Sequence, residues 1–337
     1  MAHRSGPRLM LHEVLAGGAA VLNLVALAIL FPRAAARIPD ADRLVQRAFT
    51  NLTNLALVQL LTCLGVALLL SLLLRWRPVA SRLVLGSPGE IFATLLRAAG
   101  PLLTLLTVHQ SVPLWQHMTG WPDADPALIW LDRLLFFGTD PILWLERLVH
   151  PWLTQYMWAV YLAWFVAFQG TIYLLAALRH RRQWQDMVCG TMMTLILGYI
   201  GYVLVPAVGP IHAQKAQFTV DLMGGPVGMV TTGIVDKFGV WRDAFPSLHV
   251  AVSMLLLLYS WRYLRRVAPA YTVLCVSIIM STMYLRWHYV VDVIAGMALS
   301  TLCFWAAPHL IGLWERTGAN GHSTADARRG TASGGAA

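Results

Sequence analysis

Charged residues are scarce in this sequence of 337 residues: Asp, Glu, Lys and Arg make up 12% of it, hydrophobic residues make up 58%, and the mean hydropathy is +0.61. This composition excludes an ordinary soluble domain. Apolar runs of about 20 residues recur, which is the length that a membrane-spanning helix requires. We therefore predict an all-α polytopic membrane protein with one membrane domain. Its eight predicted spans lie at 11–31, 53–74, 90–110, 153–178, 187–206, 247–261, 269–285 and 289–313.

Cysteine and lysine are also rare, and each scarcity argues against a kind of site. All four cysteines fall inside predicted spans, so they indicate neither a disulfide framework nor a metal cluster. The only lysines are Lys215 and Lys237, and the net charge of +9 comes from arginines placed in loops beside spans. This pattern favours contact with anionic lipid headgroups over a nucleic-acid partner.

The loop arginines also predict an orientation. If the N-terminus is cytoplasmic, the cytoplasmic segments are both chain ends, 75–89, 179–186 and 262–268, and they hold 14 arginines. The opposite loops are longer and hold 10 basic residues, although four of these crowd into 32–52 and argue the other way. The higher density predicts a cytoplasmic N-terminus.

The chain is predicted to divide into three parts. Residues 1–88 hold a pair of N-terminal transmembrane helices, and residues 89–316 form the main membrane domain. The segment 317–337 is rich in Gly, Ala and Ser without an apolar period, so we predict a disordered tail. The glycine-containing loop 207–245 is long enough to fold over a site.

Two short helices are predicted within 126–149, between spans three and four. Asp125-Pro126 and Asp140-Pro141 each combine an N-cap residue with proline at the first helical position. Both helices are too short to cross a membrane and contain tryptophan, so we expect them to lie in the membrane interface. A cap over the functional site is the alternative.

Two short strings carry the chemistry, Ala244–His249 and Arg286–Asp292. They place ionisable side chains at the ends of apolar segments, where such groups are costly. His288 and Asp292 are four residues apart, so on a helix they share one face. The carboxylate can then hold one imidazole nitrogen and leave the other to attack, with His249 as a proton donor. The two strings predict a phosphoryl-transfer site at a membrane surface.

The same strings offer groups for binding phosphate. We expect Pro246 to begin span six, so that the first-turn N–H groups and the Ser247 hydroxyl face the anion. Arg286 supplies a positive fork for phosphate oxygens. The structural alternatives are a surface histidine at position 249, an interfacial Arg286 and a merely structural pair of His288 with Asp292.

Phe-Pro-Ser-x-His followed by Arg-x-His-Tyr-x-x-Asp resembles the type 2 phosphatidic acid phosphatase superfamily, over residues 122–310. Within it the match resembles the branch of the fungal aureobasidin-sensitive inositol phosphorylceramide synthases and their bacterial relatives. The resemblance implies a six-helix bundle, here with two extra N-terminal helices. It also implies His288 as nucleophile, Asp292 as its orienting partner and His249 as general acid, without a metal or cofactor.

The sequence departs from the family pattern at two places. The usual lysine-containing first motif is not visible, and Gly209-Pro210 stands in its place, followed by Ile211-His212 with Lys215 nearby. Ser281-Thr282 replaces the usual serine-arginine pair, so Arg286 takes over that charge. The candidate phosphate-binding residues are therefore Arg286, Ser247, Gly209, Pro210 and Lys215.

Two classes of function remain open at this point. The first is an enzyme acting on a membrane lipid phosphate: an inositolphosphotransferase-like enzyme with an alcohol or polyol acceptor, or a lipid or polyprenyl phosphate phosphatase. The second is a non-catalytic transporter or scaffold. Transporters usually show repeated halves with broken helices, whereas here the ionisable residues cluster at one face of the C-terminal half, which favours the enzyme. We expect an integral protein of the bacterial plasma membrane with its active site on the non-cytoplasmic side.

Overall fold

The computed structural model describes residues 9–36, 38, 40–76, 88–177, 181–222 and 225–332. These residues are almost entirely helical, and the β-type pairing among them is one isolated parallel bridge between Ala207 and Asp243. Twelve α-helices follow one another along this described chain: α1 (Leu11–Ala35), α2 (Ala41–Trp76), α3 (Pro88–Thr119), α4 (Asp125–Leu135), α5 (Pro141–Leu145), α6 (Pro151–Ala177), α7 (Arg181–Leu204), α8 (Pro210–Ala213), α9 (Gly225–Phe238), α10 (Leu248–Tyr263), α11 (Ala268–Tyr284) and α12 (Val290–Ala332).

Each of the eight predicted apolar segments is a helix, namely α1, α2, α3, α6, α7, α10, α11 and α12. Among the described residues, four stretches are long and apolar enough to cross a membrane: Leu11–Ala35, Ala41–Val66, Arg182–Leu204 and Val290–Thr317. Ala268–Tyr284 is a shorter apolar helix. The protein is thus all-helical with span-like helices, as the composition predicts.

Parts of the chain on which the orientation and the tail depended lie outside the described residues: 1–8, 77–87, 178–180 and 333–337. The tail differs from the prediction where it is described. Helix α12 continues to Ala332, past position 317 where disorder was expected to begin. Several alanines in this segment favour helix and offset the glycines that argued for disorder.

The core lies where α3, α6, α7 and α10 meet, with contributions from α1, α2 and α12. Gly296 lets α12 come against the start of α10, because a Cβ at that position would lie 2.5 Å from the carbonyl oxygen of Ser247. Buried side chains from these helices include Ala16, Cys63, Leu95, Ile172, Met192, Leu255 and Phe304.

The bundle has two ends that recur below. The end of α7 and the starts of α10 and α12 meet at the reactive end, defined by residues 206–210, 243–249 and 286–292. The start of α7, the end of α10 and the later part of α12 meet at the opposite end. There Arg182 Nε lies 3.1 Å from Asp186 Oδ1 and Arg182 Nη1 lies 3.2 Å from Glu315 Oε2.

Candidate active site

His288 lies in the turn before α12, so the prediction that it shares a helix face with Asp292 is corrected: α12 begins at Val290. Its Nδ1 is 2.8 Å from the Ala244 carbonyl oxygen and 3.5 Å from Asp292 Oδ2. A carbonyl oxygen can only accept a hydrogen bond, so Nδ1 must carry the hydrogen. In the neutral ring, Nε2 then holds the lone pair. The geometry leaves an unprotonated ring nitrogen on a residue that is 5% exposed.

Asp292 is fully buried in the first turn of α12. Its Oδ2 accepts the Tyr289 N–H at 2.9 Å and also faces His288 Nδ1. The structure therefore brings the predicted pair together, but a backbone carbonyl is the closer partner of His288. Asp292 fixes both the start of its helix and the imidazole beside it.

His249 is the second residue of α10, and its ring centre lies 6.1 Å from that of His288. The ring sits between two aromatic side chains of α6: the centroid distances are 4.6 Å to Tyr161 and 4.5 Å to Trp164. The fold thus juxtaposes the two histidines that the motifs supplied, and α6 restricts the orientation of His249. The sequence analysis did not identify these aromatic neighbours.

Ser247 has a different place from the one predicted. Helix α10 begins at Leu248 rather than Pro246, and Ser247 is its N-cap, with a hydroxyl that accepts the Val250 N–H at 3.4 Å. The Ser247 N–H donates to the Asp292 carbonyl oxygen at 3.1 Å. Ser247 is fully buried. It therefore joins α10 to α12, and its N–H is not a free donor for phosphate.

Arg286 lies 7% exposed in the same turn as His288, with φ +66°. Its guanidinium stacks 3.9 Å from the centre of the Phe218 ring, and Nη2 lies 3.8 Å from Glu146 Oε1. In the described part of the chain, Nη2 makes no hydrogen bond. Burial lowers the pKa of this guanidinium, while the charge of Glu146 opposes that shift. This turn thus holds a buried cationic nitrogen two residues before His288.

Glu146 anchors part of the 207–245 loop over Arg286. Its Oε1 accepts the Thr219 N–H at 2.7 Å, the Thr219 hydroxyl at 2.8 Å and the Val220 N–H at 2.5 Å. Burial opposes ionisation of Glu146, but these bonds and Arg286 outweigh it and lower its pKa. The prediction that this loop folds over the site holds for the segment around Phe218.

Gly209 and Pro210, both predicted to bind phosphate, offer no free N–H donor in the structure. The Gly209 N–H donates to Asp125 Oδ1 at 2.9 Å, and proline has no N–H. Gly209 has φ +81°, and a Cβ there would lie 2.5 Å from the Trp287 carbonyl oxygen. Lys215 is exposed in a 3₁₀ turn and forms no ion pair with any described residue. Of the predicted phosphate-binding residues, Arg286 is the one that keeps a buried cationic nitrogen without a hydrogen bond among the described residues.

Two carboxylates of α4 were missed as site-building residues. Asp125 accepts the N–H groups of Val208 and Gly209 and the Tyr289 hydroxyl. Asp132 accepts the N–H groups at the start of α12, from Val290 and Val291, at 2.9 Å each. Burial raises the pKa of Asp132 although both bonds oppose this. The available signal was a pair of aspartates seven residues apart on one face of an apolar helix.

The two predicted N-caps had different outcomes. Asp140 caps α5 as predicted, accepting the N–H groups of Ile142 at 3.2 Å and Leu143 at 3.3 Å. Asp125 does not cap α4, because Ala124 is its N-cap and Asp125 is already helical. Through its bonds to the N–H groups of residues 208, 209, 290 and 291, α4 braces the reactive end.

Asp243 is a further carboxylate at the reactive end that the sequence analysis passed over. It precedes Ala244, whose carbonyl holds His288, and its backbone pairs with Ala207. Burial raises the pKa of Asp243 to about 6, while the nearby His288 and two backbone hydrogen bonds oppose the shift.

Comparisons with known proteins match the part of the chain that carries this site. A family model described as PAP2 superfamily matches residues 126–306, which contain both histidines, Arg286 and Asp292. A PA-phosphatase related-family protein of Dictyostelium discoideum is 25% identical over 198 residues, covering 54% of this chain and 36% of the relative. The chain therefore aligns with about a third of that relative. No solved structure matches. The resemblance to the superfamily is confirmed, whereas the synthase branch within it stays a prediction.

Proposed function

The chain belongs to the PAP2 superfamily, and we propose that it is a membrane enzyme that moves a phosphoryl group from a lipid phosphoester through His288. Membership supports phosphatase-type activity on phosphate esters. The observation that carries the finer proposal is the 2.8 Å bond from His288 Nδ1 to the Ala244 carbonyl, which leaves Nε2 as the nucleophile.

In the first step, the Nε2 lone pair attacks phosphorus and the bond from phosphorus to the leaving oxygen breaks. His249 gives its proton to that oxygen, so the alcohol leaves neutral and the phosphoryl group stays on His288. Asp292, beside Nδ1, stabilises the positive charge that the ring acquires. The 6.1 Å between ring centres is compatible with both histidines reaching one phosphoryl group.

Arg286 is the charge that the phosphoryl oxygens meet. Its Nη2 lacks a hydrogen bond among the described residues, and Phe218 and Glu146 hold the guanidinium in place. A preorganised cation in a water-poor site stabilises developing charge better than the same group in water.

In the second step, the oxygen of the acceptor attacks phosphorus and the bond between phosphorus and His288 Nε2 breaks. Neutral His249 takes the proton that the acceptor oxygen loses. Water as acceptor makes the enzyme a phosphatase of lipid or polyprenyl phosphates, and an alcohol makes it a phosphotransferase. The burial of His288 and the segment over Arg286 favour an alcohol, because they limit access of bulk water. We therefore favour an inositolphosphotransferase-like reaction on the non-cytoplasmic side of the membrane.

The covalent intermediate is the direct test. The full chain in detergent is mixed with a radiolabelled lipid phosphate and quenched, and label on the protein is tested for the acid lability and alkali stability of phosphohistidine. We expect label on the unsubstituted chain. When the substrate is a nitrophenyl phosphodiester with the same label, His249→Ala should carry more label than the unsubstituted chain, because the second step is slowed. His288→Ala is the matched control and should carry none. Turnover by His288→Ala near the original rate would contradict the assignment.

The acceptor is tested separately. An added polyol such as inositol or glycerol should divert label from free phosphate into a phosphate ester of that polyol, detected by chromatography. If free phosphate is the sole labelled product with every acceptor, the phosphatase alternative is correct.

A further inference from the structure

Helix α4 has its polarity reversed relative to a surface helix of a soluble protein. Its buried residues are Asp125, Leu128 and Asp132, spaced three, then four apart on one face. Large apolar side chains stand on the other face: Trp130 is 61% and Leu134 is 61% exposed. In water the carboxylates would face outward and the apolar side chains inward.

The inward carboxylates are explained by what they hold. Asp125 and Asp132 together accept four backbone N–H groups, those of residues 208, 209, 290 and 291. Leu128 packs with Ala207, Ala244 and Tyr289 in one buried cluster. Helix α4 therefore bonds the backbone at residues 208–209 and at residues 290–291, the second of which lies just after His288.

The outward face continues into an apolar tip after the helix. Phe136 is 41% exposed and Phe137 is 100% exposed, the latter with φ +52°. A phenylalanine in the left-handed region is unfavourable, and here it is held by the turn that closes from the Gly138 N–H to the Arg133 carbonyl at 2.7 Å. The turn thus projects an aromatic ring away from the protein.

We propose that the outer face of α4, with Trp130, Leu134 and the Phe136–Phe137 tip, docks into the boundary between headgroups and acyl chains of the bilayer that surrounds the spanning helices. Through Asp125 and Asp132, α4 then ties the reactive end to the membrane surface. This inference does not depend on the chemistry assigned to His288.

Three observations favour a bilayer over a protein partner. With 11 residues, α4 is too short to cross a membrane, so it can only lie along one. It adjoins the start of α12, where Ile294 is apolar and 46% exposed, so the apolar surface continues onto a span-like helix. Arg133, whose side chain is 46% exposed, lies between Trp130 and Leu134 in the chain, where a cation can contact headgroups.

A depth measurement tests the docking without using activity. The full chain carrying Phe137→Cys or, as a second site, Leu134→Cys is spin-labelled and reconstituted into phosphatidylcholine and phosphatidylglycerol vesicles. Collisions of the label with oxygen, which concentrates in lipid, are compared with collisions with a water-soluble nickel chelate. The native cysteines are all buried, so the unsubstituted chain reports the background. Ala216→Cys, in the polar turn 215–217, is the matched control.

We expect labels at 137 and 134 to favour oxygen severalfold over nickel and the label at 216 to show the reverse. If the labels at 137 and 134 contact nickel as readily as the label at 216, the face lies in water and the proposal is wrong. If they are shielded from both reagents, another protein surface or a second copy covers the face, and the proposal is equally wrong. Either outcome leaves the role of His288 untouched.

Discussion

The two ends of the bundle both bury carboxylates, and they differ in what compensates the charge. At the opposite end, Asp186 faces the Arg182 guanidinium at 3.1 Å and is bonded by Tyr263, while its carbonyl accepts the Tyr259 hydroxyl at 2.8 Å. At the reactive end, Asp125, Asp132 and Asp292 accept backbone N–H groups instead. At the opposite end, a buried carboxylate neutralises the charge of an arginine. At the reactive end, buried carboxylates hold backbone segments in place through hydrogen bonds.

Arg182 at the opposite end and Arg286 at the reactive end differ in their partners. Arg182 contacts Asp186, Glu315 and, at 3.2 Å, the Pro308 carbonyl. Arg286 is far more buried, yet its Nη2 makes no hydrogen bond to the residues that the structure describes. A buried donor without a partner costs about 1–3 kcal/mol. The guanidinium at the opposite end is therefore paired with two carboxylates and a carbonyl, whereas that of Arg286 is held by Glu146 at 3.8 Å and by the Phe218 ring.

The largest expected effect separates the two ends completely. His288→Ala should reduce turnover of a lipid phosphate to background, because it removes the nitrogen that forms the covalent intermediate. Asp186→Asn, at the opposite end, should leave turnover per folded molecule unchanged. It should lower the free energy of unfolding by about 1–3 kcal/mol, since Arg182 is half exposed and only part of a buried pair is lost. Turnover and denaturant unfolding of both variants are measured side by side. Equal losses of turnover would contradict the assignment of catalysis to one end of the bundle.

The next effect should depend on the substrate. His249→Ala is expected to slow cleavage of an alkoxide-like leaving group by about 10²–10⁴-fold, the usual scale for lost general acid catalysis. A nitrophenyl leaving group needs no proton, so its cleavage should be rescued in part. Initial rates on both substrates give the answer. Equal losses would mean that His249 binds phosphate rather than donating a proton.

Sequence reasoning identified the reactive side chains because they are chemically conspicuous. His249, Arg286, His288 and Asp292 are polar residues at the ends of apolar runs, and such residues stand out without knowledge of the fold. The eight apolar helices were visible for the same reason. What could be predicted was therefore which polar side chains come together and roughly which segments carry them.

The supports of those side chains were hidden because their partners are backbone groups. The closest partner of His288 is the carbonyl of Ala244, and every residue has a carbonyl, so no residue type signals it. Asp132 and Asp125 bond N–H groups far away in the chain, and only the fold brings these together. One of these bonds occupies the N–H of Gly209, which sequence reasoning placed among the phosphate-binding residues. Contacts between side chain and backbone are thus the part that sequence patterns do not encode.

An intermediate effect tests whether those supports matter. Asp132→Asn keeps the size of the side chain but offers one carbonyl oxygen where two carboxylate oxygens held Val290 and Val291. We expect turnover to fall by about tenfold, because His288 lies two residues before Val290 and geometry errors of this kind raise the barrier by about 1–2 kcal/mol. KM should change little and kcat should carry the loss. Loss of stability with unchanged kcat, as expected for Asp186→Asn, would show that Asp132 only holds the fold.

The smallest expected effect concerns Asp243, whose pKa is raised to about 6 by burial. Because the folded-state pKa exceeds the value near 4 of an unfolded chain, the folded protein binds this proton more tightly between pH 4 and 6. Stability from this group is therefore present below pH 4 and is lost as pH rises through 6. Asp243→Asn removes the charge, so it should raise the free energy of unfolding at pH 8 by about 1 kcal/mol, with no gain at pH 4.

Denaturant unfolding between pH 4 and pH 8 measures the difference in unfolding free energy, with Asp236→Asn, on an exposed residue, as the matched control. A gain that increases as pH falls would contradict the sign, and no gain at pH 8 would mean that Asp243, like Asp186, is compensated in its charged form.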